Sequence, residues 1–336
     1  MNATPLYPLR FEPLYQYRLW GGRRLADVLS VTLPGDDPVG EAWILSDRDE
    51  HSSLVANGPL KGVTLGHLVS QCPDRLFGNG SAGFDRFPLL LKFLDAQTAL
   101  SVQVHPSDLQ TEQLPAGESG KTEAWVVLGV GQDSRIYAGL TPGTTPELLR
   151  ESLANDRPTD YLASFDPCPG DAVFIPAGVV HSLRDVTIFE VQENSDVTFR
   201  LYDWNRVDPK THRQRPLQIA QAMACIDFLQ GAIAPVVPVV EQSEPSIRER
   251  LFESEHFKLW RLRGMLPFTV GFAGAARVVV CIAGHGRVKH HGEDFPFRSG
   301  DVLLLAAEVG ACLCLPSGEV QLLEISLPQG CPPPIN

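Results

Sequence analysis

The sequence predicts a mainly β fold: two β-sandwiches of the jelly-roll type in tandem, with a few short helices. Three observations predict it. Proline (28) and glycine (29) are spread through the chain and punctuate short runs rich in β-branched and apolar residues. Helical periodicity is confined to three short stretches. A Gly-Asp turn feeding an apolar strand occurs twice, as Gly170-Asp171-Ala172-Val173-Phe174-Ile175-Pro176-Ala177 and as Gly300-Asp301-Val302-Leu303-Leu304-Leu305-Ala306-Ala307. With strands on both sides of each copy, the repeat points to two related sandwiches. The 336 residues suit two domains of about 100–200 residues each.

Strands are expected at 87–94, 100–105, 123–128, 172–175, 187–192 and 197–202, and again at 277–282, 302–305, 311–315 and 320–325. A helix is expected at 64–70, before the Cys72-Pro73 break. A second, at 145–154, opens with Thr145-Pro146-Glu147, an N-cap followed by proline at the first helical position. A third, at 216–228, carries the stripe Leu217, Ile219, Ala220, Met223, Ala224 and Phe228. Residues 231–247 contain Pro235, Pro238, Pro245 and four valines with little periodicity, and are expected to form a linker. The expected division is therefore a first domain at 1–230, the linker, and a second sandwich at 248–336.

Composition sets bounds on function. Hydrophobic residues at 43% and charged residues at 20% are globular values. A net charge of −12, without a basic tract, argues against nucleic-acid binding, which needs clustered Lys and Arg. A few local cations can still hold an anionic small molecule. The seven cysteines, Cys331 among them, are odd in number and scattered. Cys312-Leu313-Cys314 has no second pair, so it reads as strand packing rather than a zinc knuckle. Reduced thiols place the chain in the cytoplasm. Residues Met1 to Arg10 lack an apolar signal region, and no stretch reaches 18 uninterrupted apolar residues; neither signal peptide nor membrane span is expected.

The chemistry is carried by a constellation. In Leu100-Ser101-Val102-Gln103-Val104-His105-Pro106, strand alternation puts Ser101, Gln103 and His105 on one face. A face with three polar groups is costly if buried, unless a ligand or metal meets it. Lys121, Glu123 and Trp125 share a face of the next strand. His181 follows the first Gly-Asp strand after a Pro-x-Gly turn. Two imidazoles and a carboxylate with a position left open suit catalytic zinc, and the Gln103 oxygen can add a ligand. Any one of these residues alone says little; their order and spacing carry the reading.

Here a resemblance becomes specific. The segment from Gly170-Asp171 to His181 resembles the second cupin motif. Ser101 to Pro106, together with Gly120-Lys121-Thr122-Glu123-Ala124-Trp125, resembles the paired zinc-binding motifs of type I mannose-6-phosphate isomerases, in their compact bacterial form. Leu19-Trp20-Gly21-Gly22, Gly40-Glu41-Ala42-Trp43-Ile44-Leu45-Ser46-Asp47, the run from Phe87 to Ala96, and Ser195 to Asp203 resemble further signatures of that family. The resemblance implies one zinc per chain with ligands Gln103, His105, Glu123 and His181. It implies catalytic cations Lys121 and Arg200. It also implies a substrate site of Ser101, Lys121, Arg200, Trp20 and Glu41, with Trp20 and Trp43 open to either sugar contact or packing. Asp95 and Glu190 are candidate acid/base carboxylates, and Asp203 with Arg206 a candidate structural ion pair.

The implied reaction converts mannose 6-phosphate to and from fructose 6-phosphate through an enediol. The partner is a small sugar phosphate, and the chain is expected as a monomer or weak homo-oligomer. The sequence leaves the base open among a metal-bound water, Lys121 and a carboxylate. Two rivals stand beside this reading: a non-enzymatic cupin that binds a sugar or metal, and an iron-dependent cupin dioxygenase. Neither Gly-x-Ser-x-Gly nor a phosphate-binding Walker loop is present.

Overall fold

The computed structural model describes residues 4–78, 84–110 and 112–328. Cys331 and the first three residues lie outside the described residues. The N-terminal part is built on strands β1 (Leu14–Gly22), β2 (Val39–Leu45), β3 (Asp47–Arg48), β4 (His51–Ser52), β5 (Leu89–Ala96) and β6 (Val102–Val104). These are followed by β7 (Glu123–Leu140), β8 (Leu162–Phe165), β9 (Ala172–Ile175), β10 (His181–Glu193) and β11 (Phe199–Tyr202). One nine-stranded sheet runs β1-β2-β5-β10-β6-β11, and the long β7 pairs β10, β8 and β9. The apolar runs of β2, β5 and β10 explain their central place: β2 and β5 are buried throughout, as is most of β10.

In the C-terminal part, six strands form one sheet in the order Val239–Gln242, Ile247–Glu253, Lys258–Gly264, Val320–Ser326, Arg277–Ala283 and Val302–Leu305. A second sheet holds Phe268–Val270, Cys312–Pro316, His285–His290 and Glu293–Arg298. The two share one core; Val288, Cys314 and Phe297 pack with Val278, Leu304 and Leu322. That core continues into the N-terminal part, where Leu9 and Leu304 exchange backbone hydrogen bonds of 3.0 and 2.8 Å.

The repeated Gly-Asp turn is the same structure twice. Gly170 N donates to Val127 O and Gly300 N to Cys281 O, each at 2.8 Å. Asp171 Oδ2 accepts from Cys168 N and Asp301 Oδ2 from Arg298 N, again each at 2.8 Å. Both glycines sit at positive φ, +92° and +88°, which a side chain would oppose. The match extends to the neighbouring strands: Glu123 pairs with Ile175, and Arg277 pairs with Leu305. Arg277 thus stands in the second copy where Glu123 stands in the first.

Most expected strands are present with shifted ends; 172–175 and 302–305 keep theirs. The expected helices at 64–70 and 145–154 are Leu65–Gln71 and Pro146–Ala154, with Thr64 and Thr145 capping through their hydroxyls. The helix expected at 216–228 is shorter, Ile219–Cys225. Gln218 explains its late start: its N–H donates to Arg200 O and its Oε1 accepts from Arg200 N, a strand-like clasp on β11. The stretch expected as a linker contains the edge strand Val239–Gln242. Before that strand, Ile233 N and Val236 N donate to Ala138 O and Ala172 O. No described helix is long and apolar enough to cross a membrane. Cys312 and Cys314 are buried core residues, and the six described cysteines are free thiols.

Candidate active site and metal centre

The site grows from β6. Val102 and Val104 point into the core and are fully buried, so Gln103 and its alternating neighbours face the other way. β6 lies between β10 and β11, where Gln103 pairs with His181 on one side and Arg200 on the other. One register therefore brings three expected site residues together. β7 supplies Glu123 at its first position.

The donor atoms converge. His181 Nε2 lies 3.3 Å from Glu123 Oε1, and His105 Nε2 lies 3.5 Å from Glu123 Oε2. The Gln103 amide lies 3.2 Å from His181 Nε2, while its Oε1 accepts from Ser101 Oγ at 2.9 Å. That amide presents its oxygen to the histidine after a half-turn. His105, Glu123 and His181 are each at most 1% exposed.

Backbone carbonyls set both imidazoles: His105 Nδ1 donates to Val197 O at 2.8 Å and His181 Nδ1 to Val179 O at 2.9 Å. A ring protonated at Nδ1 offers a lone pair at Nε2. Yet His105 Nε2 is buried without a hydrogen-bond partner. Such an orphan costs about 1–3 kcal/mol. One donor atom from each of the three residues lies within 4.8 Å of the other two, close enough to share one ion. The residues present fit a divalent metal.

Charge around the triad is arranged to keep it ready for a cation. Burial raises the Glu123 carboxyl, but Lys121, 3.0 Å from Oε2, and the two imidazoles outweigh it and hold it well below the usual range. Burial, then the Lys121 charge, pushes His105 down to about 3, and burial lowers His181 as well. Burial opposes the Lys121 charge, but Glu123, Glu190 and Asp196 together hold its pKa above the ordinary value.

Gln103 and Glu123 open onto a cleft of about 350 Å³, large enough for a small-molecule ligand; the two histidines lie behind them. Its wall holds a cross-strand row: Lys92 pairs with Glu190, and Glu190 with Trp125. Trp125 Nε1 donates to Glu190 Oε2 at 3.0 Å, and Lys92 Nζ lies 3.4 Å from Oε1. Burial and then the Glu123 charge raise the Glu190 carboxyl above its ordinary value, against Lys92 and Lys121. The cleft's other cations are also paired. Arg18 grips both oxygens of Glu41 at 3.0 Å, and Arg215 binds Asp203 at 2.8 Å. Arg200 is the exception: among the described residues no carboxylate lies within ion-pair distance, and its buried Nε has no partner.

Of the expected substrate residues, Trp20, Glu41, Lys121 and Arg200 line the cleft. Ser101 does not line it and reaches it only through Gln103. Glu41 is saturated by Arg18 and by Trp43 Nε1 at 2.7 Å; despite burial, Arg18 and Lys92 bring it to about 2. Asp95 lies outside the cleft, accepting from the backbone and side chain of Arg24 at 2.7 Å. Asp203 does pair with Arg206, at 2.6 Å. Sequence reasoning passed over Lys92, Arg18 and Arg215 as site residues. For Lys92 a signal existed: a lone charge in the apolar run Leu89-Leu90-Leu91-Lys92-Phe93-Leu94 must be buried, and buried lysines need carboxylates.

Comparison with known proteins shows the family. The family described as phosphomannose isomerase type I, catalytic domain, matches residues 9–123. The mannose-6-phosphate isomerase ManA of Bacillus subtilis (strain 168) is 34% identical over 317 residues, covering 90% of this chain and 94% of that protein. The mannose-6-phosphate isomerase of Streptococcus mutans is 32% identical over 303 residues, covering 89% and 92%. The crystal structure of the mannose 6-phosphate isomerase from Bacillus subtilis aligns with a TM-score of 0.87 at 27% identity, over 95% of this chain and 99% of that one. With such identity sustained along nearly the whole length of both chains, this chain belongs to the type I phosphomannose isomerase family.

Proposed function

We propose that the chain interconverts mannose 6-phosphate and fructose 6-phosphate by enediol proton transfer, with one zinc held by Gln103, His105, Glu123 and His181. Membership of the family makes it a mannose-6-phosphate isomerase. The observation that carries the finer reading is the buried group His105, Glu123 and His181, with His105 Nε2 unpartnered, behind a polar cleft. Imidazole and carboxylate donors around an open position suit zinc. When bound, zinc supplies Lewis-acid polarisation of the oxygens on carbons 1 and 2 of the sugar.

The protein's own residues do the rest. Lys121 places a fixed positive charge beside the ligand carboxylate, where negative charge develops on the enediolate. Glu190 faces the same cleft with its carboxyl pushed toward the operating pH, which suits it to carry the proton between carbons 1 and 2. Arg200 has its guanidinium free of carboxylates and takes the phosphate. Trp20 offers an apolar wall to the sugar. The direct experiment is turnover of fructose 6-phosphate in heavy water by the zinc-loaded protein. Mannose 6-phosphate is expected with deuterium at carbon 2, unless proton transfer is shielded from solvent. No interconversion with zinc bound would instead favour a binding protein.

The same reading assigns catalysis to residues 1–230, joined by 231–247 to a metal-free second sandwich at 248–336. Arg277 at the place equivalent to Glu123 supports this, since a guanidinium does not ligate metal. The double substitution His285→Ala with His290→Ala is therefore expected to leave bound zinc and turnover unchanged. A large loss of rate in the folded variant would refute that assignment.

A further inference from the structure

Thr122, the residue between Lys121 and Glu123, is pinned by a single residue, Glu193. Its N–H donates to Glu193 Oε1 at 2.6 Å, and its carbonyl accepts from Glu193 N at 3.1 Å. The other oxygen of that carboxylate, Oε2, lies 3.1 Å from Nδ1 of His256. His256 lies between strands Ile247–Glu253 and Lys258–Gly264 of the C-terminal sandwich. Glu193 ends β10, the strand that begins at His181 and carries Glu190. One carboxylate thus joins the strand bearing two site residues, the peptide between two others, and an imidazole from the opposite half of the molecule.

Glu193 is only 8% exposed. Among the described residues it has no Lys or Arg within ion-pair distance; His256 is its charged partner. A buried carboxylate needs such a partner to stay in place. We infer that His256 is a positioning residue for the isomerase, holding Glu193 against Thr122 and so fixing the directions of Lys121 and Glu123. The inference rests on the isomerase reading above.

The surroundings of His256 support it. Three carboxylates face the ring: Glu193 from β10, Glu255 from its own loop at 3.8 Å, and Asp108 from the loop after His105. Arg48 and Arg86 line the same hollow, but each has its own carboxylate, Glu118 and Asp49. The hydrogen bond to Glu193 raises the ring above its ordinary 6.5, against partial burial, and the three carboxylates add to the rise. A raised histidine holds its charge below that value. Its contribution is full below the ordinary pKa and fades as pH rises through the raised one. The neutral ring can still donate from Nδ1, so the alkaline loss is partial.

The test compares His256→Ala, His256→Asn and Glu193→Gln in the zinc-loaded protein. His256→Ala is expected to lower kcat about tenfold, as for other groups that orient metal ligands, with KM for mannose 6-phosphate changed less than about twofold. Asparagine, whose amide can replace the Nδ1 donor, should restore most of the rate. It should also remove the alkaline decline in kcat that the wild type shows. In the metal-free protein, NMR titration of the His256 ring should give a pKa above 6.5 that falls toward 6.5 in Glu193→Gln. The inference is overturned by an unchanged kcat in His256→Ala. It is equally overturned by a rate loss that tracks the unfolded fraction without rescue by asparagine, or by an unperturbed ring in the NMR titration. Asp108, Glu193 and His256 also lie close enough to hold a metal, and a second equivalent of zinc that vanishes with His256 would replace the positioning role. An inactive wild type would refute the isomerase reading instead, while the NMR titration would still test the contact.

Discussion

His105→Ala and His181→Ala are each expected to abolish turnover and to lower bound zinc to well below one per chain. Each ring is already oriented by a backbone carbonyl, through Val197 O and Val179 O, so its lone pair is presented without further ordering. Losing an outer partner of a metal ligand costs about 10–100-fold in affinity or activity, and losing the ligand itself should cost more. Burial, with the Lys121 charge behind it, keeps His105 at about 3, and burial lowers His181, so both are neutral at pH 7 before metal arrives. Glu123 is ionised for the reasons given above. Zinc entry should therefore release almost no protons at pH 7, unlike most sites, where protons are displaced from the ligands. Titration calorimetry in buffers of different ionisation enthalpy measures this directly. Release of one or two protons per zinc would show that the imidazoles are charged in the empty site. Full zinc in the double variant would remove both residues from the ligand set.

Part of the candidate metal group was legible because strand alternation is local. Ser101, Gln103 and His105 lie within five residues, and their shared face follows from a period of two. The Gly-Asp repeat was equally local, and its two copies prove to make the same hydrogen bonds. The wall of the cleft was not legible. Lys92, Glu190 and Trp125 form one row because β5, β10 and β7 pair in a particular register. That register depends on packing across the whole sheet, and no short window of sequence encodes it. The same holds for Arg200. Its identity was readable, but its freedom from carboxylates depends on Asp203 being taken by Arg206 and Arg215. The strands β1 and β2 were missed because Leu14–Gly22 and Val39–Leu45 mix glycine and charge with apolar residues, blurring any alternation.

Lys121→Ala and Arg200→Ala are expected to keep the fold and the zinc, yet to lose roughly 10²–10⁴ in rate, about 3–5 kcal/mol of transition-state stabilisation. The two should differ in kind. Lys121 stands 3.0 Å from a ligand carboxylate, so its charge repels an incoming cation as well as stabilising an enediolate. Removing it should leave zinc affinity equal or higher while kcat falls, a separation that a merely structural lysine would not produce. In the proposed reading Arg200 takes the phosphate, the part of the substrate that does not react. Its loss should fall on kcat/KM for mannose 6-phosphate and barely touch whatever turnover of unphosphorylated mannose the wild type shows. Arg200→Lys should rescue only in part, because lysine keeps the charge but lacks the planar fork that grips two oxygens. Steady-state kinetics on both sugars, with zinc measured in each variant, decides the matter. Wild-type rates in both alanine variants would reduce these cations to structural charges. An equal loss on mannose and mannose 6-phosphate would take Arg200 away from the phosphate.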